Sequence, residues 1–132
     1  MARVEKPRVV HLDTHIVCWL FEGRLELLTI AARQALEEGN LFVSPIVDLE
    51  LQYLFEIRRL TKDPEVILRT LSKEIDIQMT NQPLHQVVKE AKILSWTRDP
   101  FDRLIVAETI VAQGRLVTED SSIQQHFSDV IW

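Results

Sequence analysis

The stretch Asp99-Pro100-Phe101-Asp102-Arg103, followed at once by the apolar run Leu104-Ile105-Val106-Ala107, constrains this chain more than any other. Proline suits the first turn of a helix, where its missing N–H is no loss. An acid just before it caps the exposed amides, and an acid three positions later can complete a capping box. The pattern predicts a buried helix from Pro100 to Gln113, closed by Gly114, with Asp99 as its cap. Asp102 falls where that helix emerges from the core, with apolar residues on nearly every side. A charge there is costly unless something pairs with it, so the question is what partners the rest of the chain supplies.

Taken in order, Arg8 to Leu12 reads as a strand rich in β-branched residues, ended by Asp13-Thr14 ahead of a helix over Ile16 to Phe21. Ile30 to Glu38 is an amphipathic helix, stopped by Gly39-Asn40 in the usual C-terminal manner. After a strand at Leu41-Phe42-Val43, Ser44 and Pro45 open a long helix as N-cap and first residue. Its apolar stripe runs Ile46, Leu49, Tyr53, Leu54, Ile57, Leu60. Asp63-Pro64 starts a helix to Ser72, and Ile75 to Met79 alternates like a strand with one wetter face. Pro83 to Leu94 is a helix with Val87, Val88, Ala91 and Leu94 inward. Beyond the Pro100 helix come a strand from Arg115 to Thr118, a short helix from Ser121 to Phe127, and a last strand from Val130 to Trp132. Strands alternating with helices across short connections predict an α/β fold around a mostly parallel sheet of about five short strands. Only three glycines occur and the five prolines are scattered, so no linker divides the chain and residues 1–132 are expected to form a single domain.

A parallel sheet binds ligands at the carboxyl ends of its strands, and that rule makes the acids informative. Asp13 follows the first strand directly and Asp120 follows Leu116-Val117-Thr118 in the same way, although each could simply cap the helix beside it. Glu119 next to it is expected to face solvent. Glu50 lies on or beside the apolar stripe of its own helix with no Lys or Arg within one turn, so no local ion pair explains it. Asp48 falls off that stripe and is a first-turn acid favoured by the helix dipole. Jointly, Asp13, Glu50, Asp102 and Asp120 come to one edge of a parallel sheet. Carboxylates converging without basic neighbours repel one another, so the arrangement calls for cations. Oxygen-only ligation suits Mg²⁺ or Mn²⁺, and a metal-activated water attacking a phosphodiester is the natural chemistry.

The formal net charge of −5 argues against a surface that simply coats nucleic acid. Setting Asp13, Glu50, Asp99, Asp102 and Asp120 aside from the 20 acids leaves 15, against 15 Lys and Arg. The rest of the surface is then neutral, and divalent cations would offset the pocket itself.

These motifs resemble a known family over essentially the whole chain: the PIN domains, specifically the small single-domain ribonuclease toxins of the VapBC type. Leu12-Asp13-Thr14-His15 looks like the family's opening aspartate motif, and Val43-Ser44-Pro45 leading to Glu50 resembles its glutamate-bearing helix. Asp99 to Ala107 is the most specific match, and Leu116-Val117-Thr118-Glu119-Asp120 resembles the closing motif. The resemblance implies a three-layer α/β/α domain with Asp13, Glu50, Asp102 and Asp120 as an acidic quartet holding Mg²⁺ or Mn²⁺. Thr118 would orient a metal-bound water or a carboxylate, and Asp99 would be an accessory acid or a cap. It further implies RNA as substrate, a homodimer, and inhibition by a cognate antitoxin protein. Two departures stand out: Thr97 occupies a position where relatives often carry His, and Glu108 one where they commonly have Gln, which offers an extra acid near the pocket.

Other residues carry simpler expectations. His15 and Arg103 are candidate contacts to RNA phosphate, with a helix-surface position the plainer reading of His15 and a pocket carboxylate the plainer partner of Arg103. His11 is expected against the sheet, Cys18 as a buried thiol, and Trp19, Trp96 and Trp132 in the core or at an interface. Arg58, Arg59 and Lys62 form one basic cluster, and Lys89, Lys92 and Arg98 another. Tyr53, Leu54 and Phe55 exceed what one helix face buries. No apolar run approaches the roughly 18 residues that span a bilayer, and Met1 to Pro7 lacks the make-up of a secretory signal, so no membrane contact is expected and the cytoplasm is the default location. A receiver domain would want adjacent acids after the first strand and a lysine after the last, and an aspartyl phosphatase a second Asp at position 15, where His15 stands. A non-enzymatic scaffold of the same fold is the serious rival, and it has no need of four carboxylates.

Overall fold

The computed structural model describes residues 8–132; the N-terminal segment read against a secretory signal lies outside the described residues. Thirteen short elements follow one another: β1 (Val9–Leu12), α1 (Thr14–Glu22), a 3₁₀ turn (Leu25–Leu27), α2 (Ile30–Glu38), β2 (Asn40–Val43), α3 (Pro45–Glu56), α4 (Pro64–Ile75), β3 (Gln78–Met79), α5 (Leu84–Ala91), α6 (Pro100–Val111), β4 (Arg115–Val117), α7 (Ser121–His126) and β5 (Val130–Ile131). The five strands form one sheet in the order β3-β2-β1-β4-β5, and every pairing is parallel. Helices cover both faces in a three-layer α/β/α arrangement. The central strand is accordingly buried throughout its last three residues, Val10, His11 and Leu12, as a parallel strand with two covered faces should be.

The strand order carries the functional information. From β1 the chain works outward through β2 and β3, then returns to the other side of β1 for β4 and β5. The order therefore reverses between β1 and β4, and the crevice beyond the carboxyl ends of strands at such a reversal is where open α/β sheets bind ligands. Leu12 pairs with Val117 across that boundary, so the residues just after each, Asp13 and Thr118, come out side by side. Ser44 and Thr80 stand in the same way just beyond β2 and β3.

Several local expectations need correcting. α3 does not bury the stripe through Leu49, Tyr53 and Ile57; Leu49 is 58% exposed and the buried residues are Val47 and Leu51. Apolar residues occupy more than one face of this helix, so periodicity alone did not choose between them. α4 runs on to Ile75 and ends at Asp76 with a left-handed φ of 56°, which leaves β3 as the two-residue edge strand Gln78–Met79. Val88 of α5 is 41% exposed, whereas Val87 and Ala91 point inward. Gly39 ends α2 in an extended conformation, not a left-handed one. Its glycine is required by space: a Cβ there would sit 2.5 Å from Val10 Cγ2 and 2.8 Å from the Ala35 carbonyl oxygen. Cys18 is buried, His11 is 2% exposed beside Phe42, and Trp19, Trp96 and Trp132 pack against the core.

Candidate metal centre

Each acid reaches the carboxyl edge of the sheet from a different element, and helix starts do most of the positioning. Asp13 leaves β1 with its amide donating to the Val117 carbonyl at 3.1 Å. Its Oδ1 accepts the Thr14 amide at 2.8 Å, capping α1, and its Oδ2 accepts the Thr118 hydroxyl at 2.6 Å. Asp13 is only 6% exposed, and burial pushes its carboxyl above the usual range while the two hydrogen bonds work in the opposite direction. Thr118, fully buried, also accepts the Asp120 amide at 3.1 Å. Asp120 then caps α7 by accepting the Ile123 amide at 2.9 Å. Thr118 therefore ties the carboxylate that ends β1 to the loop that ends β4.

Glu50 comes in from the middle of α3, half-buried, and accepts the Thr14 hydroxyl. Burial raises its carboxyl first, the Thr14 bond opposes, and the negative charges of Asp13 and Asp99 raise it further. Thr14 is a site residue that sequence reading passed over. Its signal was available, since a hydroxyl directly after the strand-end acid can reach a neighbouring carboxylate.

Asp102 stands in the first turn of α6, half-buried, and its carboxylate has no hydrogen-bond donor among the described residues. Burial, then the carboxylates of Asp99, Asp13, Asp120 and Glu50, push it up to about 7. Those four charges act on Asp102 together because the fold has brought them to one place, and none of them is ion-paired to a Lys or Arg: among the described residues the only ion pairs are the exposed Arg24–Glu26 and Arg69–Glu65. Asp99 is the cap, accepting the Phe101 and Asp102 amides at 2.9 and 3.3 Å. The reciprocal half of the expected capping box is absent, because the Asp99 amide donates to Thr97 Oγ1 at 3.1 Å. Asp102 is therefore left free for other work.

The remaining candidates separate clearly. His15 is exposed on the first turn of α1, near enough for its charge to favour ionised Asp13 and Glu50. Arg103 does not pair with a pocket carboxylate; its Nε donates to the Thr97 carbonyl at 2.7 Å. One residue beyond Asp102, it leaves the helix about 100° round from it, so the two side chains diverge. Glu108, considered as an extra pocket acid, is 4% exposed and takes the Ser44 and Thr80 hydroxyls instead. Glu119 faces solvent as expected.

The donor set is oxygen-only and has no ion-paired Lys or Arg among the described residues, which suits a hard divalent cation. Among the described residues no three acids, histidines or thiols already stand in ligating geometry around one point. Mg²⁺ keeps several waters and takes one or two carboxylates directly, so a ring of acids at mutual Coulombic range fits it without a closed cage. Asp13, Glu50, Asp102 and Asp120 are the residues that would hold such an ion.

Comparison with known proteins bears on this geometry. The PIN-domain family profile matches residues 10–127. Ribonuclease VapC22 of Mycobacterium tuberculosis is 33% identical over 121 residues, covering 89% of this chain and 91% of its own. Among solved structures, a toxin–antitoxin complex from Klebsiella pneumoniae superposes with a TM-score of 0.67 at 20% identity, over 93% of this chain and 96% of that one. VapBC2 from Rickettsia felis, bound to a DNA fragment from its promoter, gives 0.63 at 16% identity over the same shares. At these identities the two structures bear on the fold alone.

Proposed function

The chain belongs to the PIN-domain family, and from that premise we propose that it is the ribonuclease toxin of a toxin–antitoxin pair, hydrolysing RNA phosphodiester bonds with the help of Mg²⁺ or Mn²⁺. One arrangement carries the reading: at the edge where the strand order reverses, Asp13 is bonded to Thr118 and Glu50 to Thr14, while Asp102 and Asp120 stand at the starts of α6 and α7. The likeness to a named ribonuclease over nearly the whole chain supports the same chemistry. A bound Mg²⁺ or Mn²⁺ would supply Lewis acidity toward the phosphate and would make a water on it more acidic than bulk water.

The protein's own residues do the arranging. Thr118 fixes the rotamer of Asp13 and Thr14 that of Glu50, so both carboxylates are aimed before any ion or substrate arrives, which limits the ordering cost at that moment. Asp102, with no hydrogen bond to hold it, is the acid freest to adjust. Asp99 serves as cap and accessory acid. Arg103, anchored through Nε, keeps its terminal guanidinium nitrogens for RNA phosphate, and His15 is exposed on the same edge. A cognate antitoxin is the proposed partner, as the likeness to a VapC ribonuclease at 33% identity suggests, and the toxin is proposed to act as a homodimer in the cytoplasm. No helix among the described residues is long and apolar enough to cross a membrane.

The test is direct. Purified protein is incubated with RNA and Mn²⁺, with and without EDTA, beside an Asp102→Asn variant. Cleavage is expected only from the unaltered chain with free Mn²⁺; cleavage that survives EDTA or the substitution overturns the metal mechanism. Growth arrest on expression, relieved by co-expressing the product of a neighbouring small reading frame, separates a toxin from a housekeeping nuclease.

A further inference from the structure

The most deeply buried acid outside the candidate centre is Glu108, 4% exposed in the interior of α6. Burying a carboxyl without a cation is unfavourable unless each oxygen finds a donor. Here each does: Oε2 accepts the Ser44 hydroxyl at 2.7 Å and Oε1 accepts the Thr80 hydroxyl. Those two hydroxyls belong to the residues just beyond β2 and β3. Thr80 is itself tied to β2, its amide donating to the Val43 carbonyl at 2.9 Å.

Ser44 is the N-cap of α3, and its Oγ accepts the Ile46 amide at 3.0 Å while donating to Glu108. One side chain on α6 therefore holds the first turn of α3 and the end of β3 at the same time. α3 carries Glu50 and α6 carries Asp102, six residues before Glu108. The bridge sets where one of these acids stands relative to the other. Both Glu108 oxygens are taken up by the Ser44 and Thr80 hydroxyls.

We propose that Glu108 is a positioning residue, fixing the helix that carries Glu50 against the helix that carries Asp102 through the hydroxyls of Ser44 and Thr80. The consequence for metal binding rests on the reading of those acids as ligands; the mechanical link between the helices does not. A glutamine can keep the bridge, because its amide offers one acceptor and one donor group and a hydroxyl can take either role. A leucine of similar size cannot, and leaves two buried hydroxyls without their partner.

The experiment compares the full chain with Glu108→Gln and Glu108→Leu, after confirming cooperative unfolding of each. Amide hydrogen exchange at Ile46 and Val47 reports the start of α3, and Mn²⁺ binding reports the acids. In Glu108→Leu, exchange at both amides is expected to accelerate and Mn²⁺ affinity to fall roughly tenfold or more, the usual effect of losing support behind a ligand. Glu108→Gln is expected to restore both. Wild-type exchange and affinity in Glu108→Leu would overturn the proposal, as would a Glu108→Gln chain as impaired as Glu108→Leu. Should Glu108→Leu not fold, Glu108→Met, a flexible apolar side chain that likewise gives up both hydroxyl partners, carries the same comparison. Should the unaltered chain take up no Mn²⁺, the metal reading falls, and the exchange of Ile46 and Val47 alone decides on the bridge.

Discussion

Asp102 concentrates the electrostatic cost of the site. Burial and four neighbouring carboxylates push it from 3.8 up to about 7, so in the metal-free chain the folded state binds its proton more tightly than the unfolded state does. Its ionisation then opposes folding: the penalty is absent below 3.8, grows as pH rises through the interval, and is complete above about 7. Asp13 and Glu50 are raised in the same direction. Asp102→Asn removes one share of this penalty. The metal-free variant is expected to be more stable than the unaltered chain at about pH 8, by about 1–2 kcal/mol after allowing for solvent screening of a half-exposed group. Chemical denaturation at about pH 8 and about pH 5 checks the sign, because the gain must shrink toward the lower value. A gain that grows on acidification would contradict this account of Asp102.

At the scale of elements, the helix starts were legible and the helix faces were not. Asp13, Ser44, Asp63, Asp99 and Asp120 are all N-caps in the structure, because capping chemistry is local and written in adjacent residues. α3 shows the opposite case: Leu49, Leu51, Tyr53 and Leu54 give it apolar side chains on more than one face, and only tertiary packing selects Val47 and Leu51. Leu51→Ala is therefore expected to cost about 2–5 kcal/mol, while Leu49→Ala stays within about 0.5 kcal/mol. Denaturant midpoints of the two variants decide the matter, and equal losses would restore the stripe read from periodicity. β3 was overdrawn for a related reason. Its alternating pattern overlaps the end of α4, and the left-handed Asp76 that divides the two has no glycine to announce it. The bonds of Thr14 and Glu108 were hidden because they join residues 36 and 64 positions apart, a distance at which sequence pattern is silent.

For the whole molecule, alternation of strand and helix sufficed to predict a parallel α/β sheet, and the rule that such sheets bind at their carboxyl edge turned four isolated acids into one candidate site. What the pattern could not supply was the strand order, which places the reversal between β1 and β4 and so puts Asp13 beside Thr118. The net charge of −5 equals in size the charge of the five acids Asp13, Glu50, Asp99, Asp102 and Asp120, the other 15 acids matching 15 Lys and Arg. The central claim is that Asp13, Glu50, Asp102 and Asp120 together hold one divalent-cation centre. Mn²⁺ binding followed by electron paramagnetic resonance, on the unaltered chain and on Asp13→Asn, Glu50→Gln, Asp102→Asn and Asp120→Asn, tests it most directly. The account predicts saturable binding to the unaltered chain and a loss of roughly tenfold or more in each variant, with cooperative folding retained. Affinity unchanged across all four variants would contradict it.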